Sequence, residues 1–573
     1  MARMNQAMSD LLRYNAANAS NKRSSFNKSH SHTTTFDSGY IIPLMWDRVL
    51  PGDEKKIKYS GLARMATPIH PTMDDANLDV WCFYVPDRLW WTHAKEFYGE
   101  NKDASFNPDG EYEMPYLTPP RYAVTENPDG QTIGSLNDYF GFPYMGMESA
   151  SARSDDPDLR VTAGLHRCYQ LIWNEWYRNS SIQPALQLND GDTVTTEEWE
   201  VIRHLRKANK YPDYFTTLLR EPQAGADVLL PIGDEFMPVY SRTTNIDEDF
   251  YTSQLGSDGN KALKFYSLTD DPSLANGGQG IGISSTWGSL TNSGVSNSGN
   301  TNTYWYGPAN LWAQITDANL ATINNLRNAI TIQHLLEIDN RAGKRYQQLL
   351  FAHYSVLTPD ATLSRPELCG QTRTSIGMRQ VLQQSATTED SPLGNVGAFS
   401  LTNINNEWIC NKSFTEPGFI MVLGCVRPVV SYSQGIDPLL QKLNRYDHYY
   451  PVFDNLGNQP VYTRAIYAGV QGTAASLNKV FGYAEAWTEY RIKQNRVSGL
   501  MRPDVPGTLS SWNYSLDFDA PPVLDSEFIS VDPNLIDRTI AVPSQPQFIC
   551  DSYFDYIDIK NMSVHSVPGL TRL

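Results

Sequence analysis

Long apolar runs are missing from this sequence of 573 residues. No stretch approaches the roughly 20 apolar residues that a membrane-spanning helix requires. Residues 1–20 are polar and rich in Asn and Ala, without the apolar centre of a secretory signal peptide. We therefore expect a soluble protein that has no membrane partner and is not secreted by the usual route.

Cysteine is scarce and is not arranged in pairs. The six cysteines contain no Cys-x-x-Cys motif and lie far apart, at Cys82, Cys168, Cys369, Cys410, Cys425 and Cys550. This spacing argues against a zinc ribbon and against a small disulfide-bonded scaffold. We expect buried free thiols and no metal site.

Positive charge is also in short supply. The chain has 46 Lys and Arg residues against 63 Asp and Glu residues, a formal net charge of −17. A protein with this net charge does not bind nucleic acid over its whole surface through phosphate neutralisation, so any nucleic-acid contact must be local. The balance reverses only before Phe36, where Asp10 faces a set of five bases. This set consists of Arg3, Arg13, Lys22, Arg23 and Lys28.

Residues 1–32 are therefore predicted to form a basic arm that neutralises phosphates without reading the base sequence. The alternative is a disordered terminus whose charge is incidental.

Motifs of catalysis and nucleotide binding are weak. The glycines of residues 278–282 do not form G-x-G-x-x-G, and Gly343-Lys344 lacks the other residues of a P-loop. Glu485 and Glu489 lie near aromatic residues, but nothing in the sequence places them on opposite sides of a sugar, as a glycosidase needs. We predict no catalytic residue, no cofactor and no enzymatic activity.

Strand-like patterns occur at both ends of the chain. Residues 33–45 are rich in β-branched and aromatic side chains, and residues 56–65 largely alternate between polar and apolar. Residues 78–85 are almost wholly apolar, which is typical of a strand covered on both faces. Similar patterns return at residues 418–432 and 548–559. Because early and late strands must pair to satisfy their edges, one barrel with lengthened connections is favoured over tandem domains.

Helices and a low-complexity insertion lie between these strands. Apolar residues recur at helical spacing in residues 167–178 and 317–352, and the second helix is expected to break at residues 340–343. Residues 233–308 are acidic and rich in Gly, Ser and Asn, which predicts a surface insertion.

Thirteen short blocks of sequence, spread along the chain, carry a family resemblance. The opening blocks are HTTTFDSGYIIP (32–43), VLPGD (49–53), RMATP (64–68) and FYVPDRL (83–89). The later blocks are LIWNEWYR (171–178), DYFT (213–216), ATINNLR (321–327), SFTEPGFI (413–420), RYD (445–447), FGY (481–483), WTEYR (487–491), DSYF (551–554) and SVPGL (566–570). In this order the blocks resemble the major capsid protein of gokushoviruses, small single-stranded DNA phages of the Microviridae.

This resemblance implies a mainly β fold, an eight-stranded jelly-roll barrel of the viral capsid type with long loop and helical insertions. It also implies that about 60 copies close a T=1 icosahedral shell around circular single-stranded DNA. A small basic internal DNA-binding protein and a pilot protein are implied partners. The protein is expected in the virion, and in the host cytoplasm during assembly, with the basic arm facing inward.

The expected organisation is a single capsid domain of residues 33–573 with insertions at 86–232 and 233–308. The second insertion resembles the variable loop that builds threefold protrusions in this family. Surface loops are expected to contact a host receptor. The predicted inter-subunit contacts in the second insertion are Trp287, Tyr304, Trp305 and Tyr306.

Four further aromatic residues, Trp90, Trp91, Tyr139 and Phe140, are candidate interface anchors, because Trp and Tyr bury much area for little rotamer entropy. About half of all these aromatics are expected to be ordinary core residues instead. A carbohydrate-binding or adhesin-type jelly roll remains the alternative function, since that fold also serves lectins.

Overall fold

The structure is a computed structural model. It describes residues 23–100, 112–117, 133–142, 160–226, 228, 323–382, 396–469 and 471–565, and the backbone of short strands between residues 239 and 313. The chain divides into two compact units. The first unit comprises Met1–Ala224 together with Glu337–Leu573, and the second comprises Gly225–Leu336.

The described strands, in chain order, are β1 (Ser24–Asn27), β2 (His30–Phe36), β3 (Ile42–Val49), β4 (Glu54–Met65), β5 (Ala76–Pro86), β6 (Tyr116–Leu117), β7 (Val161–Thr162), β8 (Val239–Ser241), β9 (Phe265–Leu268), β10 (Gly282–Ile283), β11 (Leu290–Thr291), β12 (Trp305–Pro308), β13 (Leu311–Ala313), β14 (Glu367–Ser375), β15 (Met378–Leu382), β16 (Val396–Ser400), β17 (Thr402–Ser413), β18 (Gly418–Pro428), β19 (Asn458–Tyr462), β20 (Val480–Glu485) and β21 (Phe548–Lys560). The described α-helices are α1 (Ala94–Phe97), α2 (Leu136–Tyr139), α3 (Gly164–Ile172), α4 (Thr196–Ile202), α5 (Ile323–Ala342), α6 (Tyr346–Tyr354), α7 (Ala474–Leu477), α8 (Thr488–Arg491) and α9 (Ser526–Ile529).

Two antiparallel sheets form the centre of the first unit. In sheet one, β21 pairs with β1 and β2 on one side and with β4 on the other, and β17 pairs with β4. Sheet two has the order β14, β5, β18, β3. Both sheets thus combine strands from the beginning and the end of the chain, and the expectation of a mainly β protein is confirmed.

One apolar core lies between the two sheets. Sheet one contributes inward residues such as Tyr59 and Phe554, and sheet two contributes Val80, Tyr84 and Val422 to the same cluster. The outward residues of β21 are exposed along most of its length, so this strand alternates between buried and exposed positions. The predicted alternation at residues 548–559 is confirmed.

The outer face of sheet two is covered by a second apolar cluster. Phe83 and Met421 point to this side and pack with Leu165, Cys168 and Ile172 of α3. Both faces of β5 and β18 are therefore buried, which explains why their sequences are almost continuously apolar. The prediction of a strand covered on both faces at residues 78–85 is confirmed.

The helical predictions are also confirmed where the chain is described. The pattern at residues 167–178 corresponds to α3, which continues into a π-helical turn over Trp173–Tyr177. The long pattern is two helices, α5 and α6, and Gly343 follows α5 with φ of +98°. Glycine adopts this left-handed conformation without steric cost, so it ends the first helix.

In the second unit, the described strands form nested antiparallel pairs. Strand β8 pairs with β13, β9 pairs with β12, and β10 pairs with β11. Each pair encloses the next one in sequence. The Gly/Ser/Asn-rich insertion therefore contains two two-stranded ladders, and the third pairs β8 with β13, which follows the insertion in sequence.

No described helix is long and apolar enough to cross a membrane.

Candidate subunit-contact surfaces

A loop of residues 436–456, called the loop surface below, is organised by short local hydrogen bonds. It contains three 3-10 turns, Pro438–Gln441, Arg445–Asp447 and Pro451–Phe453. The Asp447 carboxylate accepts hydrogen bonds from the backbone N–H groups of Asn444, at 2.9 Å, and Leu443, at 3.3 Å. These bonds hold the pKa of Asp447 below its usual value. The backbone of the loop is therefore ordered without burying its apolar side chains.

Trp487 anchors this loop to the first unit. Its side chain is buried, and its indole N–H donates a hydrogen bond of 3.1 Å to the carbonyl oxygen of Phe453. The ammonium group of Lys442 lies 4.7 Å from the centre of the Trp487 ring and forms an ion pair with Glu489. A cation above an indole face and a paired carboxylate both favour this position of Lys442.

The apolar side chains of the loop surface point into solvent. Leu443 is 86% exposed and Val452 is 85% exposed, and Leu440 and Tyr446 are exposed to more than two thirds. Single exposed apolar residues are normal, but a group of them on an ordered loop is typical of a protein–protein contact. Because the backbone is already ordered, binding there costs little further conformational entropy.

A second exposed apolar surface is formed by α6 and residues 355–357. Tyr346, Phe351, Tyr354 and Leu357 are all exposed, and α6 has no buried residue. Beside it lies a groove of about 650 Å³. The apolar residues that line this groove include Trp176, Ala342, Phe351, Leu357 and Leu368.

The prediction that Trp90, Trp91, Tyr139 and Phe140 are interface anchors is wrong. All four side chains are buried within the subunit itself. Trp90, Trp91 and Phe140 belong to the cluster on the outer face of sheet two, and Tyr139 belongs to the core between the sheets. Their sequence neighbourhood looks like a loop, but α1, α2 and α3 together cover that sheet face.

The predicted contact residues of the insertion are only partly described. Trp287 and Tyr304 lie outside the described residues. Trp305 and Tyr306 lie in β12, opposite Leu268 and Ser267 of β9, and only their backbone is described. Their contact role stays a prediction.

The predicted phosphate-binding arm is described only from Arg23 onward. Arg3, Arg13 and Lys22 lie outside the described residues. Arg23 is exposed and donates a hydrogen bond of 2.6 Å to the carbonyl oxygen of Gly52. From Ser24 on, the last part of the predicted arm forms β1 and β2 of sheet one.

Lys28 takes part in a charge network inside the protein. Its ammonium group lies 2.7 Å from a carboxylate oxygen of Asp47 and 3.1 Å from one of Asp558. Partial burial opposes the charge, but these two carboxylates raise the pKa of Lys28. Asp558 and Lys55 are fully buried, with their charged atoms 3.2 Å apart. Since Lys28 helps to compensate these acids, its charge is less available to a phosphate.

Glu485 and Glu489 serve in ion pairs. Glu489 binds Lys442 of the loop surface, and Glu485 lies 3.0 Å from Arg491 and 3.8 Å from Arg341. Both carboxylates therefore have structural partners.

Apolar surfaces that stay exposed on an ordered β-sandwich are typical of a subunit of a larger protein assembly. The family model described as capsid protein (F protein) matches residues 15–570 of this chain. Three similar relatives each carry the name capsid protein VP1. They come from Chlamydia phage 1 (34% identical), Spiroplasma virus 4 (33%) and Bdellovibrio phage phiMH2K (31%). Each comparison covers 96% of this chain and 95–96% of the relative.

The chain belongs to the phage capsid protein (F protein) family, and its resemblance to the gokushovirus major capsid proteins is confirmed. Membership implies a structural, non-enzymatic role, assembly into a multi-copy shell, and location in the virion.

Proposed function

We propose that this chain self-assembles into a T=1 icosahedral shell of about 60 copies around a circular single-stranded DNA genome. The observation that carries the proposed self-assembly is the loop surface, where Leu443 and Val452 are more than four fifths exposed on an ordered backbone. The symmetry and the genome type are proposed from the resemblance to the gokushovirus capsid proteins. Each copy meets several neighbours in a closed shell, so modest contacts sum to a stable particle. Assembly takes place in the host cytoplasm.

An eight-stranded jelly roll is the fold that we propose for the shell domain. Four strands of sheet one, in the order β2, β21, β4, β17, face four strands of sheet two, in the order β3, β18, β5, β14. Along the chain, successive members of this set lie in alternate sheets, except that β5 and β14 are neighbours in sheet two. This order supports two interleaved Greek keys. The two longest connections are β5 to β14, which carries the insertions at 86–232 and 233–308, and β18 to β21.

Particle formation by the purified full-length chain tests the proposed assembly. We expect electron microscopy to show closed particles of uniform size, because the contact surfaces belong to the chain itself. The alternative function, a carbohydrate-binding or adhesin-type jelly roll, predicts discrete small oligomers that bind glycans. Small oligomers under every assembly condition would contradict the shell proposal.

Residues 1–22 are proposed to contact the genome from the inside of the shell. Arg3, Arg13 and Lys22 lie in this segment, and exposed Arg23 directly follows it. Phosphate neutralisation by these bases needs no sequence recognition. A small basic internal protein is proposed to share this role, and a pilot protein to complete the virion.

Deletion of residues 1–22 is expected to lower the DNA content of particles and to weaken the salt dependence of DNA binding, while shells still form. The deletion ends before β1, so sheet one keeps all its strands. The ratio of absorbance at 260 and 280 nm in purified particles measures the DNA content. A second variant replaces Arg3, Arg13 and Lys22 with Gln, which removes the charge but keeps the length of the segment, and it should also lower the DNA content. Unchanged DNA content in both variants would reject the role of this segment.

The insertion of residues 233–308 is proposed to form threefold protrusions and to contact the host receptor. Its two nested strand pairs, β9 with β12 and β10 with β11, support a structure that needs no large core of its own. Deleting residues 253–303 and joining the ends with a short Gly/Ser linker is expected to leave shells intact but to reduce adsorption to host cells. Full infectivity of the deleted phage would count against this role.

A further inference from the structure

Three of the six cysteines, separated by up to 328 positions in sequence, meet at one point of the first unit. The sulfur atoms of Cys82, Cys369 and Cys410 all lie within 4.8 Å of one another. Cys82 and Cys410 are fully buried, and Cys369 is half-buried. They come from three strands, β5, β14 and β17, so this three-cysteine cluster spans both sheets.

Irregularities of two strands accompany this convergence. The register of β14 against β5 shifts between Leu368 and Gly370, and Cys369 is the residue at that shift. The register of β17 against β4 shifts between Trp408 and Cys410. Strand bulges redirect side chains and are enriched beside functional sites. Two independent bulges thus adjoin two of the three thiols.

The sheets approach so closely here that a side chain between them is excluded. A Cβ atom on Gly370 would lie 2.5 Å from the carbonyl oxygen of Ile409. Glycine at this position therefore permits the close backbone contact that brings Cys369 and Cys410 together.

The cluster lies beside a cation and two backbone carbonyl groups. Lys412, which is itself paired with Glu367, supplies a cation beside the cluster. The Cys410 thiol lies 3.8 Å from the carbonyl oxygen of Lys55, and the Cys369 thiol lies 4.0 Å from that of Glu367. Because thiols are weak hydrogen-bond donors, these contacts hold the sulfur atoms only weakly.

We propose that Cys82, Cys369 and Cys410 bind one thiophilic d10 metal cation that joins sheet one to sheet two. Metal–sulfur bonds of about 2.3 Å place the sulfurs of a three-thiolate centre about 4 Å apart, within the separation present here. Each thiol that binds the metal releases its proton to the solvent, so metal binding is weaker at low pH.

The ligand set favours Cu(I) over Zn(II). Soft thiolate ligands select Cu(I), which accepts three of them, whereas structural Zn(II) sites hold four protein ligands. Among the described residues, the cluster contains three His, Cys, Asp or Glu side chains and no fourth. The proposal is independent of shell assembly, because all three ligands belong to one chain.

Metal content of the full-length chain tests the site. The protein is expressed in medium supplemented with copper or with zinc, because two of the ligands are fully buried, and is purified anaerobically with a phosphine reductant. We expect about one equivalent of Cu(I) per chain by elemental analysis, and less Zn(II). Refolding with Cd(II) should produce the charge-transfer absorption of a cadmium thiolate. The metal-bound form should unfold at a higher temperature than the metal-free form.

The chain offers a matched control for the substitution. Cys369→Ser, at the half-buried ligand, should reduce bound metal at least tenfold and remove the thermal shift. Cys550→Ser changes a buried cysteine outside the cluster and should retain both. Equal metal content in these two variants, or no metal in the wild type, would overturn the proposal. So would a disulfide between two of the three cysteines, found by intact mass and peptide mapping of anaerobically purified protein.

Discussion

Replacing both Leu443 and Val452 with Asp is expected to abolish shell assembly while the subunit stays folded. The two side chains are 86% and 85% exposed, so they contribute little to the stability of the isolated subunit. Each would contribute about 1.5–3 kcal/mol when buried against a neighbour, and Asp there would have to be desolvated without a partner. Since every copy repeats the change, the loss recurs throughout the shell.

Sedimentation velocity and electron microscopy of the L443D/V452D variant measure this effect. We expect subunits or small oligomers in place of particles, with the circular dichroism spectrum and melting temperature of dissociated wild type. The matched control, L443M/V452I, keeps apolar side chains at both positions and should form shells. Wild-type yields of particles from the Asp variant would show that the loop surface is not a subunit contact.

Glu198→Ala is expected to destabilise the region around α3 and α4 by about 3–5 kcal/mol, because it leaves a buried arginine without its counter-ion. Arg167 and Glu198 are both almost completely buried, with the guanidinium Nε 2.7 Å and Nη2 3.1 Å from the two carboxylate oxygens. The backbone carbonyl of Gly191 accepts a further hydrogen bond of 2.8 Å from Arg167. After the substitution the Gly191 carbonyl remains, but the positive charge of Arg167 is uncompensated.

Glu200→Ala is the matched control, since Glu200 lies on the same helix, α4. Its ion pair with Arg203 is exposed on the carboxylate side, and such pairs contribute about 0–1 kcal/mol. Hydrogen exchange of the α3 amides should accelerate about 100- to 4,000-fold in E198A, and less than about fivefold in E200A. Similar exchange rates in the two variants would mean that the buried Arg167–Glu198 pair does not stabilise the region around α3 and α4.

Strand positions could be predicted from the sequence where burial leaves a simple pattern. The alternation of β21 reflects one core face and one exposed face, and the continuous apolar run of β5 reflects burial on both faces. The break between α5 and α6 was readable because Gly343 supplies a backbone conformation that other residues resist.

Features that depend on distant parts of the chain could not be predicted in this way. Trp90 and Trp91 sit in a loop-like sequence, and only the packing of α3 on sheet two shows that they are core. The three-cysteine cluster has no local motif, because its members meet only after β5, β14 and β17 have been assembled. The loop surface could have been suspected from its sequence, because apolar residues there lie within a stretch rich in Pro, Asn and Asp.

The position of β21 has a consequence for how the protein is made. This strand lies between β2 and β4, and it follows every other described strand in the sequence. Until it leaves the ribosome, β2 and β4 have no partner at these edges, and their contacts span more than 480 positions of sequence. Such non-local pairing makes folding slow. A polypeptide that stops before Phe548 would consequently lack the middle strand of sheet one and leave β2 and β4 unpaired at these edges.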